Sequence, residues 1–328
     1  MKWVQFNDRK TWLLWILTGV LATTTLVVIP TPSAQAQSFL QRIQTLFGRR
    51  GQQGRASGRV AGGAVRTGRN LGGNNPNIPY VISPRNTWLE NDSFTIRWQP
   101  VSNATRYTVR LWRWSYGEDQ REALLWETEV EATQVEYSGQ PPLEAGPYYS
   151  IEVIADTGAS SNSDAGAAKT GFELLFPEDL EILQADLADL TDLADQELTA
   201  EAQTLVLASI YFRENLLANA IHTLEPLVET GTQNPLVYQA LGEIYSYTGL
   251  NTLAQRRYGQ AITLATASAA LEDSTLASLG LAEVNATLEE WDQAILLFRQ
   301  AESGFEALGD TNQAARIRKR IDFIETFQ

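Results

Sequence analysis

The chain has 328 residues, with 25 Lys and Arg against 39 Asp and Glu, and its formal net charge is −14. Apolar residues make up 44% of it, which is typical of a globular protein and argues against a polytopic membrane protein or disorder along the whole chain. The absence of cysteine excludes disulfides, thiolate metal sites and cysteine nucleophiles. The acidic charge argues against nucleic acid as a partner.

Residues 1–36 have the features of a secretory signal peptide. Three basic residues lie within the first ten, an uncharged apolar-rich run follows at Trp12–Ile29, and Ala34-Gln35-Ala36 supplies small residues for a cleavage site. We expect cleavage before Gln37 and export to the periplasm or the cell exterior. The alternative is an uncleaved anchor, because 18 apolar-rich residues can just span a bilayer.

Residues 37–77 form a basic, glycine-rich segment with seven arginines and no acidic residue. Such a composition buries too little apolar surface to offset its ordering entropy, so we expect a flexible tail. From residue 80 onward, 15 Lys and Arg face 38 Asp and Glu, a net charge of −23. One interpretation is a solvated linker that folds back on this acidic body. The other is adhesion to an anionic membrane surface or wall polymer.

Residues 78–176 contain short runs of alternating apolar and polar residues bounded by turn residues, which predict an all-β sandwich. The predicted strands are Pro79–Ser83, Phe94–Trp98, Tyr107–Trp114, Leu124–Val130, Gln134–Tyr137, Tyr148–Ala155 and Lys169–Phe176.

Three motifs stand out in this region. They are Trp98-x-Pro100-Val101, Ala104-x-x-Tyr107-x-Val109-x-Leu111 and Leu143-x-x-Gly146-x-x-Tyr149-x-Ile151-x-Val153. Together they resemble the fibronectin type III domain. The resemblance implies that Tyr149 is a corner tyrosine whose hydroxyl bonds to upstream backbone. It also implies a spacer or binding platform, since this fold carries no chemistry of its own.

Two tryptophans are predicted on an outer face of the third strand. Period-2 alternation points Trp112 and Trp114 outward, with Tyr116 and Trp126 nearby. The same alternation points three apolar side chains inward: Tyr107, Val109 and Leu111. The outward pair either docks against the rest of the chain or forms an aromatic platform for sugar rings or a partner strand.

From Pro177 the apolar period changes to 3.6, which predicts helices, and a repeat becomes visible. Its copies start at Glu201, Pro235 and Thr275, so the spacing is 34 and then 40 residues. Small residues recur at the eighth and twentieth positions and large ones at the eleventh and twenty-fourth. The eighth position holds Ala208, Gly242 and Ala282, and the twentieth holds Ala220, Ala254 and Ala294. The eleventh holds Tyr211, Tyr245 and Asn285, and the twenty-fourth holds Leu224, Tyr258 and Phe298.

This pattern resembles the tetratricopeptide repeat, a helix–turn–helix unit that stacks on its neighbours to bury an apolar face. The resemblance implies an all-α helical repeat array over residues 177–328, with capping helices at 178–195 and 311–326. The longer spacing fits an extension around Ala269–Ser274. Pro226 is expected to kink the second helix of the first repeat or to end it early.

By the same resemblance, the first helix of each repeat lines a concave groove that binds a partner segment. The groove residues this implies are Leu205, Ser209, Arg213, Gln239, Glu243, Ser246, Tyr247, Leu279, Glu283 and Thr287.

The sequence offers no recognisable catalytic constellation. His222 has no second metal ligand or nucleophile at a helpful spacing, so we expect a partly buried structural histidine, no metal and no cofactor. The leading hypothesis is a multidomain, non-catalytic adaptor of the bacterial cell envelope that binds a protein in the repeat groove. The alternative is a carbohydrate- or cell-wall-binding module that uses the outward tryptophans and the basic tail. An envelope hydrolase is a third and weaker hypothesis.

Overall fold

The computed structural model describes residues 75–114, 123–163, 171–194 and 198–326. The predicted signal peptide, almost all of the basic segment and Tyr116 lie outside the described residues.

The first part of the described chain, residues 75–176, is the sheet region. Each predicted strand overlaps an observed strand. The strands are β1 Val81–Ser83, β2 Thr87–Leu89, β3 Ser93–Trp98, β4 Tyr107–Trp114, β5 Ala123–Val130, β6 Gln134–Ser138, β7 Tyr148–Ala155 and β8 Gly171–Leu174. Strand β2 is not predicted. Its three residues are all buried, so they lack the alternation by which a half-exposed strand is recognised.

The strands form two sheets, in the orders β1-β3-β6 and β2-β8-β7-β4-β5, and β2 pairs with β8 in parallel. Ile96 and Trp98 from the smaller sheet share one hydrophobic core with Val109 and Leu111 from the larger sheet. The three predicted inward residues of β4 are buried, which confirms the alternation.

The bond predicted for Tyr149 is also confirmed. Its hydroxyl donates to the Glu144 carbonyl oxygen and accepts from the Glu144 amide, both at 3.0 Å. This pair of bonds ties the start of β7 to the chain that precedes it. Burial raises the pKa of Tyr149, against the opposing effect of its backbone bond, so the hydroxyl keeps its proton.

The second part of the chain, the helical region, has eight helices among the described residues. They are α1 Pro177–Ala194, α2 Ala200–Arg213, α3 Leu217–Glu229, α4 Pro235–Tyr247, α5 Asn251–Ala267, α6 Leu271–Thr287, α7 Trp291–Ala307 and α8 Thr311–Glu325. A sheet-rich part followed by helices is therefore the architecture of the described chain. Successive helices from α2 to α8 pack on one another, and α4 also packs on α6.

Local sequence explains where several helices begin and end. Thr199 caps α2 by accepting from the Ala202 amide, and Asn234 caps α4 by accepting from the Leu236 amide at 3.0 Å. Helix α3 ends at Glu229, three residues after Pro226, and is four residues shorter than α5. The helix passes through Pro226, contrary to the prediction that the proline ends it early. It ends instead before Gly231, which has a positive φ of 78° and donates from its amide to the Val228 carbonyl oxygen at 3.0 Å.

Most of the predicted extension around Ala269–Ser274 is helical. Helix α5 continues to Ala267, and α6 begins at Leu271, four residues before the predicted repeat start at Thr275. The longer spacing is therefore accommodated by longer helices, since only residues 268–270 separate them.

The small residues of the repeat pattern are buried where the helices pack together. Those at the eighth and twentieth positions are buried in all three copies, as are the large residues at the twenty-fourth: Ala208, Gly242, Ala282, Ala220, Ala254, Ala294, Leu224, Tyr258 and Phe298. At the eleventh position Tyr245 and Asn285 are buried and Tyr211 is partly buried. The pattern therefore predicted which side chains enter the helix interfaces.

The sheet region and the helical region pack directly against each other. Tyr80 and Trp88 belong to the same buried cluster as Leu216 and Leu217 of the helical region. The amide of Trp88 donates to the Asn215 carbonyl oxygen at 3.0 Å. The segment that contains the unpredicted strand β2 is thus the main link between the two regions.

Candidate partner-binding surface

Three of the ten predicted groove residues are buried. Leu205 is completely covered in the large helical cluster, and the Ser209 hydroxyl donates to the Val206 carbonyl oxygen at 2.7 Å. Gln239 is also buried. In this structure the side chains of these residues stabilise helix packing and do not present an open surface.

Glu243 is held by a tyrosine from the next helix. The Tyr258 hydroxyl donates to Glu243 Oε2 at 2.6 Å. Burial raises the pKa of Glu243, and the bond from Tyr258 opposes that rise. Burial, helped by the nearby carboxylate, also raises the pKa of Tyr258, so its hydroxyl remains a donor.

Two glycines make room for the Tyr258 ring. A Cβ atom added at Gly242 would lie 2.9 Å from the ring, and one added at Gly280 would lie 2.5 Å from its Cζ atom. Gly242 is the small residue at the eighth repeat position, whereas Gly280 lies outside the recognised pattern. The ring is therefore enclosed by α4 on one side and α6 on the other.

The predicted groove residues of α6 are also engaged. Arg320 of α8 donates to both Glu283 carboxylate oxygens, at 2.8 and 3.3 Å. The Thr287 hydroxyl donates to the Glu283 carbonyl oxygen at 2.9 Å. Leu279 is partly buried against the C-terminal hydrophobic cluster. The sequence pattern did not identify Arg320 as a partner, because it lies 37 residues from Glu283, on the capping helix beyond the last repeat.

The accessible part of the predicted face lies at the C-terminal ends of α2 and α4. Tyr247 is 40% exposed, and its ring packs edge-on against Phe212 with 5.8 Å between ring centroids. Arg213 is exposed and its guanidinium lies 2.6 Å from the Glu214 carboxylate. Ser246 is partly exposed beside them. We call Arg213, Ser246 and Tyr247 the terminal patch.

A buried acceptor lies on the same helix as this patch. Gln239 Oε1 receives no hydrogen bond within the described part of the chain. Gln239 and Glu243 are four residues apart on α4, so they are neighbours on one helix face, and Tyr247 continues that face one turn later. The amide oxygen is covered by the helix packing, so of this face only the Tyr247 ring is well exposed.

A second polar site joins the two regions and was not predicted. Arg97 of β3 binds both Glu225 carboxylate oxygens, with Nη2 at 2.9 Å from Oε1, and the Tyr245 hydroxyl donates to the same oxygen at 2.6 Å. We call these three residues the clamp. Burial alone would raise the pKa of Glu225, but the bonds from Arg97 and Tyr245 outweigh it and the pKa is lowered. Arg97 and Glu225 are 128 residues apart, so local spacing gives no signal for this pair.

Further contacts connect the sheet region with the loop after α4 and with the first turn of α3. Arg85, which is almost completely buried, donates from Nε to the Thr248 carbonyl oxygen at 2.8 Å. Asn219 donates to Glu90 at 2.5 Å, and burial raises the pKa of Glu90 against the effect of that bond. Side chains of the sheet region thus bond to the helical region at both places.

The outward tryptophans of β4 are partly exposed. Trp114 donates from its indole nitrogen to the Ser150 hydroxyl at 2.8 Å, on the neighbouring strand β7. Trp126 does not join them. It packs against the inner core, edge-on to Tyr137 at 5.4 Å between centroids. The platform is therefore limited to Trp112 and Trp114 among the described residues.

The expected environment of His222 is wrong, because the side chain is exposed on α3. It faces solvent since the apolar stripe of that helix runs through Leu217, Ile221 and Leu224. Within the described ranges, no group of three or more histidine or acidic side chains is arranged to hold a metal ion. None of the described helices is long and apolar enough to cross a membrane.

No protein-family model matches the chain, and no curated protein matches it either.

Proposed function

We propose that the chain is a non-catalytic adaptor of the bacterial cell envelope that binds a protein segment through its helical region. The proposal joins the signal-peptide features of residues 1–36 to the resemblance of the helical region to tetratricopeptide repeats. Supporting it, the small and large residues of the repeat pattern lie at the helix contacts that such a stack requires. In this proposal the sheet region is a fibronectin type III-like sandwich that positions the helices.

The observation that carries the proposal is the terminal patch. An exposed aromatic ring supported by a second ring, next to an arginine, has the composition of a binding hot spot. The ion pair between Arg213 and Glu214 is on the surface, so exchanging Glu214 for an acidic group of the partner would cost little free energy. A partner segment would bind here at the ends of α2 and α4.

We predict that Arg213→Ala combined with Tyr247→Ala lowers recovery of the partner at least tenfold, as expected when about 2 kcal/mol of hot-spot binding is removed. The measurement is crosslinked affinity capture of the full chain from its own envelope, followed by mass spectrometry. Circular dichroism should show unchanged helical content.

Leu296→Ala is the matched control, because Leu296 is 53% exposed on α7 and lies outside the predicted face. Equal recovery with the double variant and with this control would move the binding site off the terminal patch.

A wall-polymer-binding function is the second candidate, and the partly exposed Trp112 and Trp114 favour it. Indole faces next to hydroxyl groups such as that of Ser150 suit sugar rings, which have apolar faces and polar edges. We predict that Trp112→Ala combined with Trp114→Ala abolishes pull-down by envelope polysaccharide without unfolding the chain. Undiminished pull-down by that variant would exclude this candidate.

A further inference from the structure

Strand β5 is an outer edge of the larger sheet. It pairs with β4, and it pairs with no second strand among the described residues. The pairing is regular over residues 126–130, after a bulge near the start of the strand. This regular part contains neither proline nor lysine, which commonly keep a sheet edge from pairing with another chain. Its backbone is therefore a surface to which another strand can be added.

The bonds of β4 show which backbone groups of β5 are unused. The Asp156 amide donates to the Arg106 carbonyl oxygen at 3.0 Å, so these two residues form a hydrogen-bonded pair where β4 and β7 meet. Bonded and non-bonded pairs alternate along an antiparallel ladder, and a residue of a central strand bonds to one neighbour only. Val109 is three residues after Arg106, so its backbone groups bond to β5, where Thr128 lies opposite.

Glu127 and Glu129 consequently direct their backbone groups away from β4. They flank Thr128, and alternation turns their N–H and C=O groups to the open side of the strand. Within the described ranges, no backbone hydrogen bond outside the strand ladder reaches these four groups. Both residues are exposed. An added antiparallel strand bonds to exactly such a set, two residues with free N–H and C=O groups separated by one residue.

The side chains of Glu127 and Glu129 set the charge of this edge. They lie on the outer face of the sheet, where Arg110 and Arg106 pair with them at the surface. A third carboxylate, that of Glu152, shares Arg110. Exposed ion pairs contribute little free energy, so a basic group of a ligand can bind the same carboxylates at small cost. Three carboxylates against two arginines leave a negative charge for that group to neutralise.

The opposite face of β5 is apolar. Trp126 and Val130 are partly buried and pack against the hydrophobic core of the sheet region. Side chains alternate between the two faces of a strand, so every second side chain of an added strand would lie beside the glutamates. The side chains between them would lie beside Trp126 and Val130. The edge therefore favours a segment with basic residues at alternate positions and apolar residues between them.

We propose that β5 binds an extended segment of a partner protein, with alternating basic and apolar residues, that adds to the sheet as an antiparallel strand. A second copy of the chain fits the edge poorly. Pairing β5 with itself would bring the glutamates of both copies together, and like charges across a strand pair are destabilising. The site lies in the sheet region, so it is separate from the terminal patch and goes beyond the function proposed above.

The probe is a capped hexapeptide of alternating lysine and valine, titrated into the full chain by isothermal titration calorimetry. We expect one peptide to bind per chain. A glutamate–valine hexapeptide should bind at least tenfold more weakly, because its charges repel those of the edge. Absence of measurable binding by the lysine–valine peptide would overturn the proposal.

N-methylation of the peptide tests the backbone pairing directly. The residues opposite Glu127 and Glu129 are the lysines, and in an antiparallel pair these same residues bond through their own N–H groups. Methylating the lysine amides should therefore lower the affinity at least tenfold. Methylating the valine amides, which point away from β5, should leave it unchanged. Equal effects of the two methylations, or a loss with the valines methylated instead, would contradict antiparallel addition to β5.

A proline variant tests the same bonds from the side of the protein. Glu127→Pro removes an N–H that points away from β4, so the sheet loses no bond of its own. Glu127→Gln is the matched control, since it removes the same charge and keeps the N–H. We expect the proline variant to bind the lysine–valine peptide about tenfold more weakly than the glutamine variant, with an unchanged circular dichroism spectrum. Equal affinities would mean that the peptide binds elsewhere.

The outcomes also separate this proposal from the proposed function. Arg213→Ala combined with Tyr247→Ala should leave binding of the lysine–valine peptide unchanged, because the terminal patch is in the helical region. If affinity fell in that double variant and not in Glu127→Pro, the strand-edge site would fail and the terminal patch would stand. If it fell only in Glu127→Pro, the strand-edge site would stand whatever the capture experiment shows for the terminal patch.

Discussion

Replacing Arg97 by methionine is expected to lower the free energy of unfolding by about 3 kcal/mol, the cost of leaving a largely buried carboxylate without its cation. Arg97 and Glu225 have 29% and 12% of their side-chain surfaces exposed, so water replaces little of the lost interaction. Tyr245 would still donate to Glu225, but one hydroxyl cannot compensate for two bonds from a guanidinium. Chemical denaturation monitored by tryptophan fluorescence measures the change.

Arg106→Met is the matched control for this prediction. Arg106 pairs with Glu129 at 3.6 Å, and both side chains are more than half exposed, so its loss should change stability little. Removing both partners in Arg97→Met with Glu225→Leu should cost less than Arg97→Met alone, because no charge is then left buried. If Arg97→Met were no more destabilising than Arg106→Met, the clamp would not hold the two regions together.

The clamp also predicts that the stability of the fold depends on pH. The folded-state pKa of Glu225 is below its ordinary value, so the stability it contributes is fully present above that ordinary value. It is lost as the pH falls through the lower, folded-state pKa. Arg257 nearby acts in the same direction as Arg97. The stability difference between the unaltered chain and Arg97→Met should therefore narrow in acid, since protonation removes the charge that the variant leaves unpaired.

The sequence predicted those features whose causes are local and periodic. Alternation in β4 placed Val109 and Leu111 in the core, and the spacing of small residues placed Ala208 and Ala254 at helix contacts. Each of these inferences needed only neighbours a few residues away.

What the sequence did not predict depends on pairs that are distant along the chain. The clamp, the bond from Arg320 to Glu283 and the pairing of β2 with β8 are each formed only when separate elements meet. The groove residues show the same limit. A repeat register says which face of a helix a residue occupies, but it does not say whether that face is covered, and both Gln239 and Leu205 are buried. Burial, unlike periodicity, is a property of the assembled chain.

The second prediction of a large effect on stability concerns the close packing around the Tyr258 ring. Gly280→Ala is expected to lower the free energy of unfolding by about 2 kcal/mol, because the new methyl group would overlap the tyrosine ring. The ring cannot turn away easily, since Gly242 lies against its other side and Glu243 holds its hydroxyl. This cost exceeds the gain of up to about 1 kcal/mol that alanine normally brings over glycine inside a helix.

Gly259→Ala supplies the control, since it makes the same substitution in α5 one residue after Tyr258. Apart from its chain neighbours and the backbone of its own helix, no described atom lies within 4 Å of a Cβ atom at Gly259. Only the helix propensity therefore acts, and stability should rise by up to about 1 kcal/mol. The two substitutions should therefore have opposite signs in thermal or chemical denaturation. Tyr258→Leu combined with Gly280→Ala should be less destabilising than the sum of the single changes, because the smaller side chain leaves room for the methyl group. Strict additivity would mean that the ring of Tyr258 is not what requires glycine at position 280.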